Sequence, residues 1–517
     1  METSMKNPFD QLNPKNENSA LIFLSFFKFI ALIIFAGNYG LFRDEYYYIE
    51  CSKHLAWGYV DQPPLSALIL WISRTLFGES LIAVRLFAYL ASSATVFVSG
   101  LIAREMGGRK FAQILTAIAV IFCGVILGGG SYFSMNVFDV LLSAIMFYYL
   151  VKLLRTGDKK LWLVIGLLFG IGLMNKLSFL FLGFGLAVGL ILTNNRKYFL
   201  SKELWIAAAT AVIIFLPNII WQISNGFPTL EFIHNAAQYK NSPANPVAFF
   251  LGTLLELNPS SIFLLAAAFY FLLLNKEGKK FVLIALLYIS VFLVFLFNNG
   301  KPYYMGVLYP VILAAGAVGI DHLIERYLKN WVRYAFVIFV LPGYLFAVPF
   351  SIPVLDVDSF IKYSEATGIK PASGERSQLG LLPQFYADRF GWKEMVKDVE
   401  FAYNKLSNEE NKKAIIFGQN YGEAGAVNYY RKEFGLPQAI SNHNNYWIWG
   451  IPENQSTDVV IVIGSTLEDN REFFDDVQLA TTHYSKYGMP YENVDIFICR
   501  KPKSDLKKVW ARIKNYI

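Results

Sequence analysis

The stretch LFRDEYYYIECSKHLAWGYVDQPPL, residues 41–65, sets Asp44 beside Glu45, follows them with three tyrosines, and adds Asp61 just ahead of Pro63 and Pro64. Carboxylates so placed could take a proton from an incoming hydroxyl or hold a polyol by hydrogen bonds. They also suit a plainer task, because aspartate is a good helix N-cap and proline fits a first helical turn. Further charges stand apart in apolar surroundings. Arg85 lies in AVRLFAYL, Asp139 follows Asn136 in NVFDVLLSAIMFYYL, Lys176 interrupts MNKLSFLFLG, and Lys301 precedes Tyr303 and Tyr304 in KPYYMGVLYPVILAAGA. An ion at the end of a membrane span is costly unless a partner or cavity receives it. Plainer readings exist here too: Arg85 could pair with Asp61 or Asp139, Lys176 could snorkel, and Lys301 with its tyrosines could anchor in headgroups.

The elements that must position these residues are mostly apolar. Of 517 residues, 55% are hydrophobic and only 16% charged, against roughly 25% charged in soluble domains. The composition is that of a membrane protein. Apolar stretches long enough to cross ~30 Å of hydrocarbon as helices are read near 19–40, 80–104, 111–130, 137–153, 161–175, 177–194, 204–223, 247–272, 281–297, 303–320 and 333–350, eleven in all. Residues 1–18 form a polar tail, 19–350 a transmembrane domain and 351–517 a soluble one. The first span lacks a short apolar core followed by a cleavage site and reads as a retained anchor.

The net charge of +7 comes from basic residues scattered over short loops, which excludes a nucleic-acid stripe and sets topology instead. With the N-terminus cytoplasmic, Arg104, Arg109, Lys110, Arg155, Lys159 and Lys160 fall inside, while the outer side is nearly bare. An odd number of spans then puts the C-terminal domain outside the cytoplasmic membrane. Cys51, Cys123 and Cys499 have no metal-ligand spacing.

The outer loop 41–79 is long and carries two helical patterns at the membrane interface. One covers 44–56 with Asp44 as N-cap and Tyr48, Ser52 and Leu55 on one face; the other runs from Pro63 to Phe77 before Gly78. In the soluble domain KAIIFGQN, TDVVIVIGS and VDIFICRKP read as strands, and EAGAVNYYRKEFG and EDNREFFDDVQLA as helices, giving an α/β domain. FGQNYGEAGAVNYY is read as a tight βα turn rather than a phosphate loop, since its glycines are not spaced G-x-G-x-x-G. SNHNNYWIWG, residues 441–450, is read either as a sugar-stacking segment or as a packed strand.

Taken in order, RDEYYYIE…GYVDQPPL, AVRLFAYL, NVFDVLLSAIMFYYL, MNKLSFLFLG and KPYYMGVLYPVILAAGA resemble the membrane glycosyltransferases of the C-type fold over about residues 20–320. The resemblance points to the bacterial branch of the protein O-mannosyltransferase superfamily and, more distantly, to the lipid A aminoarabinose transferase. It implies a polyprenyl-phosphate-linked sugar donor and a glycan, lipid or protein acceptor on the outer face of the bacterial cytoplasmic membrane. Asp44 then corresponds to the general base, with Glu45 as its catalytic neighbour. Asp61, Asp139, Tyr48, Tyr303 and Tyr304 correspond to substrate-binding positions, and Arg85, Lys176 and Lys301 to those facing the donor phosphate. Gln62 departs from the lipid A branch, which carries lysine there.

These residue types suit the chemistry. A lipid-phosphate sugar is already activated, so the protein must take the acceptor proton and stabilise charge on the departing phosphate. Attack opposite the phosphate implies inversion. The gathered acids could receive a divalent cation, but no His/Cys zinc spacing is present and an obligatory metal is not expected. Alternatives are a lipid or sugar transporter, whose polar sites usually lie at mid-membrane on interrupted helices, and a sugar-binding receptor using the tail. Acceptor recognition is the role expected of the soluble domain.

Overall fold

The computed structural model describes residues 14–241, 245–370, 375–453 and 455–517; most of the expected cytoplasmic tail lies outside them. The described residues fall into two compact units, one drawn from 14–36, 85–217 and 245–354, the other from 37–84, 218–241, 355–370, 375–453 and 455–517.

The first unit holds most of the apolar helices. Among the described residues, six helices are long and apolar enough to cross a membrane: Leu81–Glu105, Met135–Thr156, Lys202–Ser224, Gly278–Phe297, Pro302–Tyr327 and Val332–Ser351. Two more spans follow if bent pairs are counted, Phe179–Ile191 with Asn194–Leu200 at 109° and Pro246–Leu257 with Pro259–Leu274 at 93°. The total is thus six to eight, set beside the eleven expected. The other three stretches give the shorter apolar helices Asn18–Ile34, Lys110–Ile121 and Leu161–Leu173. In the 111–130 run the helix stops at Ile121, and a separate turn covers the glycine-rich GVILGG. Glycine extends an apolar run without favouring helix.

Pro302–Tyr327 is the central helix of this unit, with 83% of its apolar window buried; Val332–Ser351, at 22%, presents its apolar surface outward. Small residues allow the central helix its close approach. A Cβ added to Gly316 or Gly319 would collide with the carbonyl oxygens of Leu264 and Ala267, the pattern expected where helices associate in lipid.

The second unit is built on a five-stranded sheet: β1 Ile415–Gly418, β2 Ala439–Ser441, β3 Val459–Ile463, β4 Phe474–Thr482 and β5 Asp495–Pro502, in the order β2-β1-β3-β5-β4. The first three run parallel, and β5 and β4 are added antiparallel. Continuous apolar runs make β1 and β3 internal strands, and Ile415, Val460, Val462, Phe497 and Cys499 fill one core face. One sequence expectation is corrected. Residues 468–480 are not a helix throughout: the helix Leu467–Phe473 gives way to β4. The alternation of FDDVQLATT buries only part of one face, and the bonds to β5 decide its state.

Candidate active site

Helix Arg43–Lys53 carries the acidic pair and packs on helix Tyr421–Phe434 of the same unit. The two meet closely because position 425 is glycine: a Cβ there would lie 2.8 Å from Cβ of Tyr46. Asp44 is not the N-cap. That position is Phe42, whose backbone N–H donates to Oε2 of Glu45 at 2.8 Å. Glu45, expected as the catalytic neighbour of Asp44, is fully buried and closes the start of the helix. Asp44 lies in the first turn with its side chain 37% exposed. Its Oδ1 accepts from the Tyr421 hydroxyl at 2.8 Å and lies 3.7 Å from Nε of Arg43.

Asp61 is not a cap either, because helix Leu65–Phe77 begins after Pro64 without a side-chain cap. It accepts from the Tyr47 hydroxyl at 2.9 Å. Burial pushes its carboxyl up to about 6, against the pull of that hydroxyl. Tyr48, the expected substrate contact, is buried. The tyrosine that meets an acid is its neighbour Tyr47, which stacks on Tyr421 at 4.8 Å and is approached by the backbone N–H of Asn445 at 3.4 Å.

Two tyrosine–carboxylate pairs, Tyr421 with Asp44 and Tyr47 with Asp61, thus stand ring against ring. His443 lies 4.7 Å from the Tyr421 ring, its Nδ1 accepting from the Tyr421 backbone and its Nε2 meeting the Ile517 carbonyl at 2.7 Å. Burial pushes this imidazole down to about 3, so it is neutral. A cavity of about 260 Å³ opens beside Tyr421, lined also by Arg43, Lys240, Glu375, His443 and Tyr491.

SNHNNYWIWG is not a strand beyond Ser441; it turns into the short helix Asn445–Trp449. Its rings are spent inside the unit, Tyr446 buried and Trp449 stacked on His54 at 4.5 Å. The N-terminus of helix Tyr421–Phe434 holds no open phosphate loop. Asn420 Oδ1 accepts from the N–H groups of Gly422 and Glu423 at 2.8 and 3.0 Å, and Glu423 accepts in return from Gln419 and Asn420. The βα-turn reading holds.

In the first unit Asp139 is buried one turn inside helix Met135–Thr156 and accepts from the Ser178 hydroxyl at 2.6 Å. Lys176 donates to Asn136 Oδ1 at 2.6 Å, with its ammonium 5.6 and 5.0 Å from the ring centres of Tyr303 and Tyr304. Part-buried and caged by two rings, it does not simply snorkel. Lys301 stands at the start of the 3₁₀ turn Pro302–Leu308 that carries those tyrosines. Arg85 is buried and donates to the Ala36 carbonyl at 2.7 Å. Among the described residues, no three His, Cys, Asp or Glu side chains gather as a metal site, and no step below runs through a metal.

A model of the dolichyl-phosphate-mannose-protein mannosyltransferase family matches residues 61–221. The lipid A galacturonosyltransferase RgtD of Rhizobium johnstonii is 25% identical over 264 residues, covering 50% of this chain and 55% of that protein. The undecaprenyl phosphate-α-4-amino-4-deoxy-L-arabinose arabinosyl transferase 2 of Pseudomonas fluorescens is 23% identical over 330 residues, 57% of this chain and 58% of its own. The chain therefore spans little more than half the length of these relatives. Among solved structures, ArnT from Cupriavidus metallidurans bound to undecaprenyl phosphate superposes with a TM-score of 0.61 at 13% identity, over 92% of this chain and 97% of that one.

Proposed function

We propose that this chain, a multi-pass membrane protein with the fold of the C-type membrane glycosyltransferases, transfers a sugar from a polyprenyl-phosphate carrier to a hydroxyl of a membrane glycolipid. One relative's name gives lipid A as what it acts on and the other's gives an undecaprenyl phosphate-linked sugar, which supports this choice of donor and acceptor class. The observation that carries the reading is the contrast within the acidic segment: Glu45 is spent on closing its own helix and Asp61 is part-buried against Tyr47, while the Asp44 side chain is 37% exposed.

Asp44 acts as general base. The acceptor oxygen attacks the anomeric carbon as its proton passes to Asp44. The bond from that carbon to the phosphate oxygen breaks with its electron pair, and polyprenyl phosphate departs. Attack from the face opposite the phosphate inverts the anomeric configuration. A positioned base contributes ~10²–10⁴ in rate. Arg85, Lys176 and Lys301 hold the phosphate and offset its growing charge; such fixed cations count for most where water is excluded. Tyr303 and Tyr304, which hold the Lys176 ammonium, orient that cation, and Asp61 and Asp139 bind sugar hydroxyls. The reaction is placed on the outer face of the membrane, in accord with the distribution of Lys and Arg among the loops.

The test is reconstitution of the full chain in liposomes with undecaprenyl phosphate carrying 4-amino-4-deoxy-arabinose, galacturonic acid, mannose or glucose, and total membrane lipid as acceptor. The expected result is release of undecaprenyl phosphate from one of these donors, with an inverted linkage in the product. Donor moved across the bilayer with its sugar still attached would instead make the chain a transporter.

A further inference from the structure

Tyr421 lies outside both the acidic loop and the basic set, yet it donates the hydrogen bond that Asp44 accepts at Oδ1. Arg43 approaches the same oxygen at 3.7 Å, an ion-pair distance too long for a hydrogen bond, and among the described residues its Nε has no hydrogen-bond partner. Among the described residues, nothing donates to Oδ2.

The donor is held firmly. Tyr421 opens a helix whose start is closed by the Asn420–Glu423 capping box. Its ring stacks on Tyr47 at 4.8 Å and 29° and meets His443 at 4.7 Å and 34°. Its backbone N–H is bound to His443 Nδ1 at 3.3 Å. Burial raises the phenol well above its usual value, so it keeps its proton and remains a donor.

We infer that Tyr421 is a positioning residue for the base: by occupying Oδ1 of Asp44 it fixes the carboxylate with Oδ2 toward the acceptor hydroxyl. This rests on the reading of Asp44 as the base. A half-exposed aspartate left alone samples several rotamers, and the rate of a proton transfer falls steeply when the accepting atom is misplaced. Tyr421 exchanges no proton in the step; the acceptor proton goes to Oδ2. The C-terminal segment thereby acts on the reaction itself and not only on acceptor recognition.

The experiment compares Tyr421→Phe, Asp44→Asn and the unaltered full chain in the liposome assay, reading kcat, KM for the donor and melting temperature. Tyr421→Phe keeps the ring and loses the hydroxyl. It should lower kcat about ten-fold or more, with donor KM and melting temperature unchanged, while Asp44→Asn is inactive. Tyr421→Phe turning over at the normal rate beside an inactive Asp44→Asn would overturn the positioning role and leave the base assignment standing. Normal turnover by Asp44→Asn would overturn both. Should Tyr421→Phe melt early, 3-fluorotyrosine incorporated at position 421 keeps ring and hydroxyl and alters only the donor strength. Its kcat should then change by two-fold or more, and an identical kcat would overturn the inference.

Discussion

Adjacent carboxylates in one helical turn meet different fates because their backbone positions differ. Glu45 is three residues past Phe42 and turns back to its N–H, whereas Asp44 points away to the Tyr421 hydroxyl. Asp61 presents a third case, bound to Tyr47 in surroundings that disfavour its charge. Its carboxyl stands near 6 in the folded protein against 3.8 in the unfolded chain, and burial pushes buried Asp388 up to about 6 as well. The folded state therefore holds more protons between about pH 4 and 6, and stability falls as pH rises through that window, then levels off. Asp61→Asn keeps an oxygen for the Tyr47 hydroxyl and cannot ionise. Its stability relative to the native chain should be near zero difference at pH 4 and about 1–2 kcal/mol higher at pH 7, measured as melting temperature against pH. A difference that stays constant across the window would refute the assignment. The acids were legible in sequence, since few residues are charged near the ends of the apolar runs. Tyr47 and Tyr421 were not: the first is one of three tyrosines in a row, and the second lies 377 residues from its partner.

At the scale of elements, the helix pair 43–53 and 421–434 decides the position of the base. Gly425 lets the two approach, and a Cβ there meets both the side chain and the backbone of Tyr46, at 2.8 and 3.2 Å. Gly425→Ala should cost about 1–3 kcal/mol through overpacking and reduce turnover by moving Asp44 against Tyr421. Gly37→Ala, with nothing within 4 Å of the added carbon, should change stability by less than about 0.5 kcal/mol. Chemical denaturation of both variants checks the contrast, and equal effects would refute it. Helix Leu65–Phe77 ending at Gly78 and the strands β1, β3 and β5 could be read from local pattern. The cap at Phe42 could not, because its capping group sits three residues downstream, and β4 could not, because its polar alternation becomes a strand only by pairing with β5.

For the whole molecule, the number of apolar runs exceeds the number of long helices, because length of run does not register the bends after Ile191 and Leu257 or the break at Phe122. The side on which the soluble segment lies is open to a direct check. Cys51, Cys123 and Cys499 are all buried, whereas the side chain of Asp458 is 65% exposed. In Asp458→Cys, a membrane-impermeant maleimide should label intact spheroplasts; labelling only after lysis would place the segment in the cytoplasm. The account as a whole turns on Asp44 taking the acceptor proton. The most direct measurement is turnover of the polyprenyl-phosphate donor by Asp44→Asn in liposomes, alongside its donor binding. Donor bound as tightly as by the native chain, with undecaprenyl phosphate release lowered at least 10²-fold, is the expected result, and release at the native rate would contradict it.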